Sequence, residues 1–394
     1  MLKIFSSRRK KRLSRRWRPA AALDRFEARN LPSVMAPASL PAVSLPTHAV
    51  HATSQTAKDP GASTNAQDTT LTVPLKLVTV GSQERLAVNV SVAGGPYLPY
   101  LLDTGSVGMY AANFNINPKS YTTTSTTFDQ HYTSGIHYSG PVIRTNVSFA
   151  QGESASNVYL GLITSAKGSL VAGWQRALAQ GSAPYENQFY GTLGMSLAPG
   201  EAKKQGSLYS VIAQLPGNLH TGFIIHTGGV AGKDPTLTIG LTPQNMQGFT
   251  TVPLPSAGSR GTTYAYGNGA ANHVLAWNDK GATLGYQITG LPPFSAPTVF
   301  DTGEASTTLY TGGIPKSLLV NGRLESGLQF TTKLASGLAW QIVTGSHENI
   351  NRVDVGASRS SGTVNTGIGL FFNYDVMYDI QDGLIGFRPI STTT

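Results

Sequence analysis

Two apolar runs in this chain end on the same three residues. "YLPYLLDTG" closes on Asp103-Thr104-Gly105, and "APTVFDTG" closes on Asp301-Thr302-Gly303, 198 positions later. Stopping a buried strand on a carboxylate is costly, because an unpaired buried charge is expensive. Two such strands, about half the body apart, imply two β halves that each deliver one aspartate to a shared place. Thr104 and Thr302 offer hydroxyls that can bond across to the other half. Gly105 and Gly303 let backbone N–H groups come close to a carboxylate and hold it in plane. The residue after the first triplet is Ser106, a further hydroxyl; after the second it is Glu304.

The text around these runs reads as short strands. "TLTVPLKLVTV", "RLAVNVSVAG", "GPVIRTNVSFA" and "SNVYLGLITS" alternate apolar and polar residues between Gly, Pro, Asn and Ser. The same style returns after position 245 in "HVLAWN", "LGYQITGL", "LAWQIVTG", "YDVMYDI" and "LIGFRPI". Helical patterns are limited to 170–180, 207–215 and 314–324. With 394 residues and only 12% charged side chains, the chain reads as mostly β and long enough for two lobes. The lobes are expected over 67–245 and 246–394. There is no cysteine, so neither disulfides nor a thiolate metal site contribute, and burial must hold the fold.

The net charge of +9 is confined to one end. Residues 1–30 hold eleven of the 29 Lys and Arg and two of the 20 Asp and Glu, so the remainder balances at eighteen of each. "SSRRKKRLSRRWRP" is a like-charge block suited to disorder or to an anionic surface. The spacer up to residue 66 is rich in Pro, Ala, Ser and Thr and lacks the apolar content to order itself. "PAAAL" is interrupted by Asp24 and Arg25, unlike the apolar core of an ordinary secretory signal. "LDRFEARNLPSV" resembles the Arg-rich N-terminal sorting segments of planctomycete surface and secreted proteins, which implies a secreted or cell-envelope location. No later segment reaches the roughly 18 apolar residues of a membrane span.

Two carboxyl groups brought face to face cannot both ionise easily, so they share one proton and titrate as a unit. The ionised member can take a proton from a water held between them. The protonated member can donate to a carbonyl oxygen as it becomes tetrahedral. Such a pair hydrolyses a peptide bond without metal, cofactor or covalent intermediate.

Over most of 70–390 the chain resembles the bilobal pepsin-like aspartic peptidases, their bacterial cell-surface branch in particular. The resemblance implies a mostly β acid-protease fold, with two barrel-like lobes and a substrate cleft between them. It implies that Asp103 and Asp301 are the catalytic pair, supported by Thr104, Gly105, Ser106, Thr302 and Gly303. In that family an apolar-apolar-Gly segment threads each Asp-Thr-Gly loop. "FYGTLGMSL" supplies Leu193-Gly194 for the first loop. "NTGIGLFFNYDVMYDIQDGLIGFRP" supplies Gly367 for the second, although Thr366 stands where the family has an apolar residue. A flap hairpin in the family bears a tyrosine followed three residues later by glycine. "HYTSGIHYSG" offers Tyr132 and Gly135, with Tyr138 as a competing tyrosine. The substrate implied is an extended peptide, acted on by a monomer.

Glu304 departs from the family, which usually has Ser or Thr there. Pointing inward, it adds a third carboxylate and moves activity toward neutral pH, away from the strongly acidic optimum of gastric pepsins. Pointing outward, it leaves Asp301 one supporting hydrogen bond short. The same departure supports a second reading, a catalytically silent pepsin-like module that binds protein or glycan at the cell surface. A third reading, nucleic-acid binding, rests on the basic tail alone and is not expected of the neutral body.

Other features carry less. His131 and His137 flank the flap turn with no Asp or Glu cluster beside them, and a metal site needs three or four ligands. They are read as hairpin histidines, and no metal is expected. "YGNGAAN" (266–272) has no strand-to-helix setting for a phosphate. The two "NVS" triplets read as strand residues. No G-x-S-x-G elbow is present.

Overall fold

The computed structural model describes residues 69–149, 154–168, 173–198, 208–255, 262–265, 273–335, 337–347, 350–357 and 362–390, all within the unit Asn65–Thr394. The tail and spacer of 1–66 and the loop 266–272 lie outside the described residues.

Period-two alternation builds the framework. In the strand Leu71–Val80, Leu71, Val73 and Leu75 are buried, while Thr72, Pro74 and Lys76 are exposed. The strand changes partner along its length. Its first half pairs with Thr236–Ile239 and its second half with Gln83–Val92, so it joins two parts of one fourteen-stranded sheet. One end of that sheet runs in the order Thr250–Pro253, Leu384–Pro389, Tyr374–Asp379, Gly222–His226, Thr236–Ile239, Leu71–Val80, with every neighbour antiparallel. Strands from before and after position 245 therefore share one layer. Phe223, Ile225, Val376, Tyr378, Ile385 and Phe387 fill its core, with Phe223 stacked on Tyr378 at 4.7 Å between ring centroids. A second sheet of nine strands is built from residues after 280.

The pairing around each Asp-Thr-Gly loop is the same in both halves. Leu98–Asp103 lies parallel to Gly191–Met195, which is antiparallel to Val107–Ala112. Phe294–Val299 lies parallel to Val364–Asn365, which is antiparallel to Thr307–Leu309. The register also repeats. Leu101 pairs with Thr192, each two residues before its Asp or Gly, and Val299 pairs with Asn365 at the same offsets. Primary sequence shows little of this duplication, because the two halves keep the hydrogen-bond pattern and not the side chains.

Helices are scarcer than the sequence leads one to expect. The segment 170–180 yields the α-helix Trp174–Ala179, and 207–215 yields only a 3₁₀ turn at Ile212–Gln214. The segment 314–324 is not a helix. It forms a 3₁₀ turn at Lys316–Leu318 and then a hairpin of Leu319–Val320 with Arg323–Leu324. Asn321 and Gly322, at φ 53° and 77°, make the tight turn that a two-residue hairpin requires, and this overrides the helical spacing. Among the described residues no helix is long and apolar enough to cross a membrane.

Candidate active site

Asp103 ends its strand buried, and each of its carboxylate oxygens has a donor. Gly105 N–H donates to Oδ1 at 2.9 Å, and Ser106 Oγ donates to Oδ2 at 2.6 Å. Asp301 is held in nearly the same way. Gly303 N–H donates to Oδ1 at 2.8 Å, and the second donor is Asn365 Nδ2, 2.7 Å from Oδ2. Gly105 and Gly303 also lie against the opposite carboxylate. A Cβ on Gly105 would stand 2.2 Å from Asp301 Cγ, and one on Gly303 would stand 2.4 Å from Asp103 Oδ1. Only a residue without a side chain lets the two loops face each other so closely. The structure thus brings Asp103, Gly105, Ser106, Asp301 and Gly303 together.

The threonines fasten the loops to each other. Thr104 Oγ1 donates to Phe300 O at 2.7 Å, and Thr302 Oγ1 donates to Leu102 O at 2.7 Å. Each hydroxyl also accepts from the other threonine's backbone N–H, at 2.9 and 3.1 Å. Both residues are buried, so these four bonds are shielded from water. Gly194 and Gly367 sit on the threading segments where a side chain would strike backbone. A Cβ would stand 2.5 Å from Gly108 O in the first case and 2.4 Å from Ser306 O in the second. Thr366 is fully buried and its hydroxyl donates to Gly367 O at 3.1 Å, which satisfies the polar group in an apolar position.

The electrostatics follow from burial and proximity. Burial, and then the charge of Asp301, push the Asp103 carboxyl up to about 7, against the pull of Ser106 and Lys280. Glu304 lines the same cleft, and its Oε1 accepts from Ala305 N–H at 3.2 Å. Burial and the neighbouring Asp301 raise its proton affinity, which Arg85 partly offsets. Glu304 therefore faces the cleft, yet Asp301 does not lack a donor, because Asn365 supplies one. This is the inward case of the two drawn from sequence, with Glu304 a third carboxylate at the cleft.

The strands Tyr121–His131 and His137–Phe149, expected from sequence to form a flap, pair antiparallel. Their turn closes with Gly135 N–H donating to Tyr132 O and Tyr132 N–H donating to Ile136 O, at 3.0 and 2.8 Å. Gly135, at φ 81°, supplies the left-handed residue of that turn. The Tyr132 hydroxyl shares a hydrogen bond of 2.7 Å with Thr192 Oγ1, on the first threading strand. Tyr138 is fully buried and packs edge-on against the Tyr132 ring, 5.5 Å away. Both tyrosines line the cleft, which has a volume of ≈1260 Å³ and draws its walls from both halves of the chain.

Several residues here were not singled out from sequence. Asn365 stands two places before Gly367, as Thr192 stands two places before Gly194. Lys280 Nζ donates to Gly105 O at 2.6 Å. The buried Asp279 beside it accepts from Ser196 Oγ at 3.0 Å and Leu197 N–H at 2.5 Å, and burial pushes it up to about 6. Asp129 corrects the reading of the flap histidines. It hydrogen-bonds His137 and lies 3.3 Å from His131 Nε2, so a carboxylate does accompany them. Alternation explains this: 129 and 131 share a strand face, and 137 is paired directly with 131.

No protein-family profile matches the chain, and no curated protein matches it in sequence. Among solved structures it is similar to an aspartic proteinase from Irpex lacteus, with a TM-score of 0.54 at 16% identity. The match covers 83% of this chain and 99% of that one. The fold is accordingly the mostly β, bilobal fold of pepsin-like aspartic proteinases.

Proposed function

We propose that the chain is an aspartic endopeptidase in which Asp103 and Asp301 activate a water for attack on a peptide carbonyl. The observation that carries this is the mutual approach of the two Asp-Thr-Gly loops, each glycine against the other loop's carboxylate at the wall of one open cleft. Asp103, whose proton affinity burial and the charge of Asp301 raise, holds the shared proton and donates it to the carbonyl oxygen. Asp301, held by Gly303 and Asn365, is the base that takes a proton from the water. Thr104 and Thr302 keep the pair in register. Tyr132 and Gly135 form the flap that closes over an extended peptide, whose backbone pairs along the hairpin edge. No cofactor takes part.

The lobes divide near 245 in this reading, and the enzyme acts as a monomer. It is secreted or held in the cell envelope of a bacterium, with the basic tail and spacer serving sorting or tethering and not nucleic-acid binding. A silent binding module is the competing reading, and Glu304 in the cleft is what favours it. Asn365 favours activity, because it restores the donor that Glu304 does not give.

The test is digestion of a mixed peptide library by the full chain between pH 3 and 8, beside Asp103→Asn and Asp301→Asn. Cleavage by the wild type that drops at least ~10²-fold in both variants is expected. Cleavage equal in all three, or absent throughout, would overturn the proposal.

A further inference from the structure

Three metal-ligating side chains meet at the root of the hairpin turn, and two of them, Asp129 and His131, line the cleft. Asp129 and His131 project from one strand of the hairpin and His137 from the other, with 131 and 137 directly paired. The two imidazoles stack, 3.8 Å between centroids and 20° between planes. Both Nε2 atoms turn toward the same oxygen, Asp129 Oδ1. One ligand atom from each of the three residues lies within 4.8 Å of the others.

We propose that Asp129, His131 and His137 form a binding site for a divalent transition-metal ion of the Zn²⁺ class. Imidazole nitrogen with one carboxylate oxygen is the donor set that suits such an ion, whereas Mg²⁺ and Ca²⁺ require mostly oxygen. A tetrahedral ion with bonds of about 2.0–2.2 Å needs ligand atoms roughly 3.3 Å apart. His131 Nε2 and Asp129 Oδ1 already stand at 3.3 Å. Asp129 and His131 are exposed, so modest side-chain rotation completes the convergence, and solvent can supply a fourth ligand. The exposed Lys167, paired with His137 from the strand Ser165–Lys167, opposes a cation only weakly because water screens it.

The position gives the ion a structural consequence. A single metal bridging 129 and 131 to 137 staples the two strands where the turn 132–136 begins, and that turn starts with Tyr132. Binding therefore orders the flap tip, whether or not the cleft hydrolyses peptides.

Zn²⁺ is titrated calorimetrically into the chelator-treated full chain and into Asp129→Asn, His131→Ala and His137→Ala, with amide hydrogen exchange followed at 131–137. Expected is one equivalent bound by the wild type, weakened at least ~10-fold in each variant, with slower exchange at the turn only when the site is intact. All three side chains are exposed or partly so, and unchanged circular dichroism of the variants shows that the fold survives. Binding that persists unchanged in all three variants assigns the ion to other histidines and overturns the proposal, as does no binding by the wild type. Neither readout depends on catalysis, so failure here is separable from failure of the peptidase reading.

Discussion

At the scale of single residues, Asn365 and Glu304 exchange the roles their neighbours would lead one to assign. The second loop has lost its hydroxyl at 304, but the amide of Asn365 reaches Asp301 from the threading strand. A hydrogen bond to a charged group contributes roughly 1.5–3 kcal/mol. Asn365→Ala should therefore lower kcat/KM by about 10–100-fold, while Glu304→Ser, which removes no bond to Asp301, should cost less than ~10-fold. Steady-state kinetics on the two variants decide it, and a larger loss in Glu304→Ser would reverse the assignment. Asp103 makes a second prediction. Its proton is held more tightly in the folded chain than in the unfolded one, so the folded state binds more protons between about pH 4 and 7. Stability from this source is fully present below pH 4 and is lost as pH rises toward about 7. Melting temperature should fall over that interval in the wild type and much less in Asp103→Asn. The slope left in the variant comes from the other raised carboxyls, among them Asp279, which is half-titrated near pH 6. An unchanged slope in Asp103→Asn would show that the carboxyl is not held as described.

At the scale of elements, the strand Gly191–Met195 connects the hairpin tip to the loop that carries Asp103. Thr192 is paired with Leu101, two residues before Asp103, and its hydroxyl holds Tyr132 from below. A neutral hydrogen bond contributes about 0.5–1.5 kcal/mol, so Tyr132→Phe and Thr192→Val should each lower kcat/KM by roughly 2–10-fold. The double variant should lose no more than the worse single one, because both remove the same bond. Additive losses would mean that the two residues act apart. Much at this scale was legible in the sequence. The strands announce themselves by alternation, and the two loops by a repeated triplet behind apolar runs. Asn365 was not legible, because its value lies in a strand register linking it to a residue 64 positions away. The hairpin at 319–324 has apolar residues at helical spacing, but its Asn321-Gly322 is a strong turn signal and prevails. Asp129 follows the same alternation as the apolar residues, which puts it on one strand face with His131.

At the scale of the whole molecule, the sheet that joins strands from both sides of position 245 makes each half depend on the other. Gly222–His226 is covered on one edge by Tyr374–Asp379, and Leu384–Pro389 and Thr250–Pro253 continue the layer. A chain ending at 245 would leave the edge of Gly222–His226 open and uncover Phe223 and Ile225. The complementary piece would uncover Val376 and Tyr378, and the bonds between Thr104 and Thr302 would be lost to both. Each large apolar side chain contributes roughly 1.5–3 kcal/mol when buried. Uncovering two in each piece costs about 3–6 kcal/mol, a large share of the roughly 5–15 kcal/mol that holds a typical domain folded. An open apolar strand edge also templates aggregation. Expressed separately, 1–245 and 246–394 should therefore each lack a cooperative thermal transition, and mixing them should restore one together with the native β circular dichroism. A cooperative transition in 1–245 alone would show that the core built on the pairing of Leu98–Asp103, Gly191–Met195 and Val107–Ala112 suffices without the shared layer.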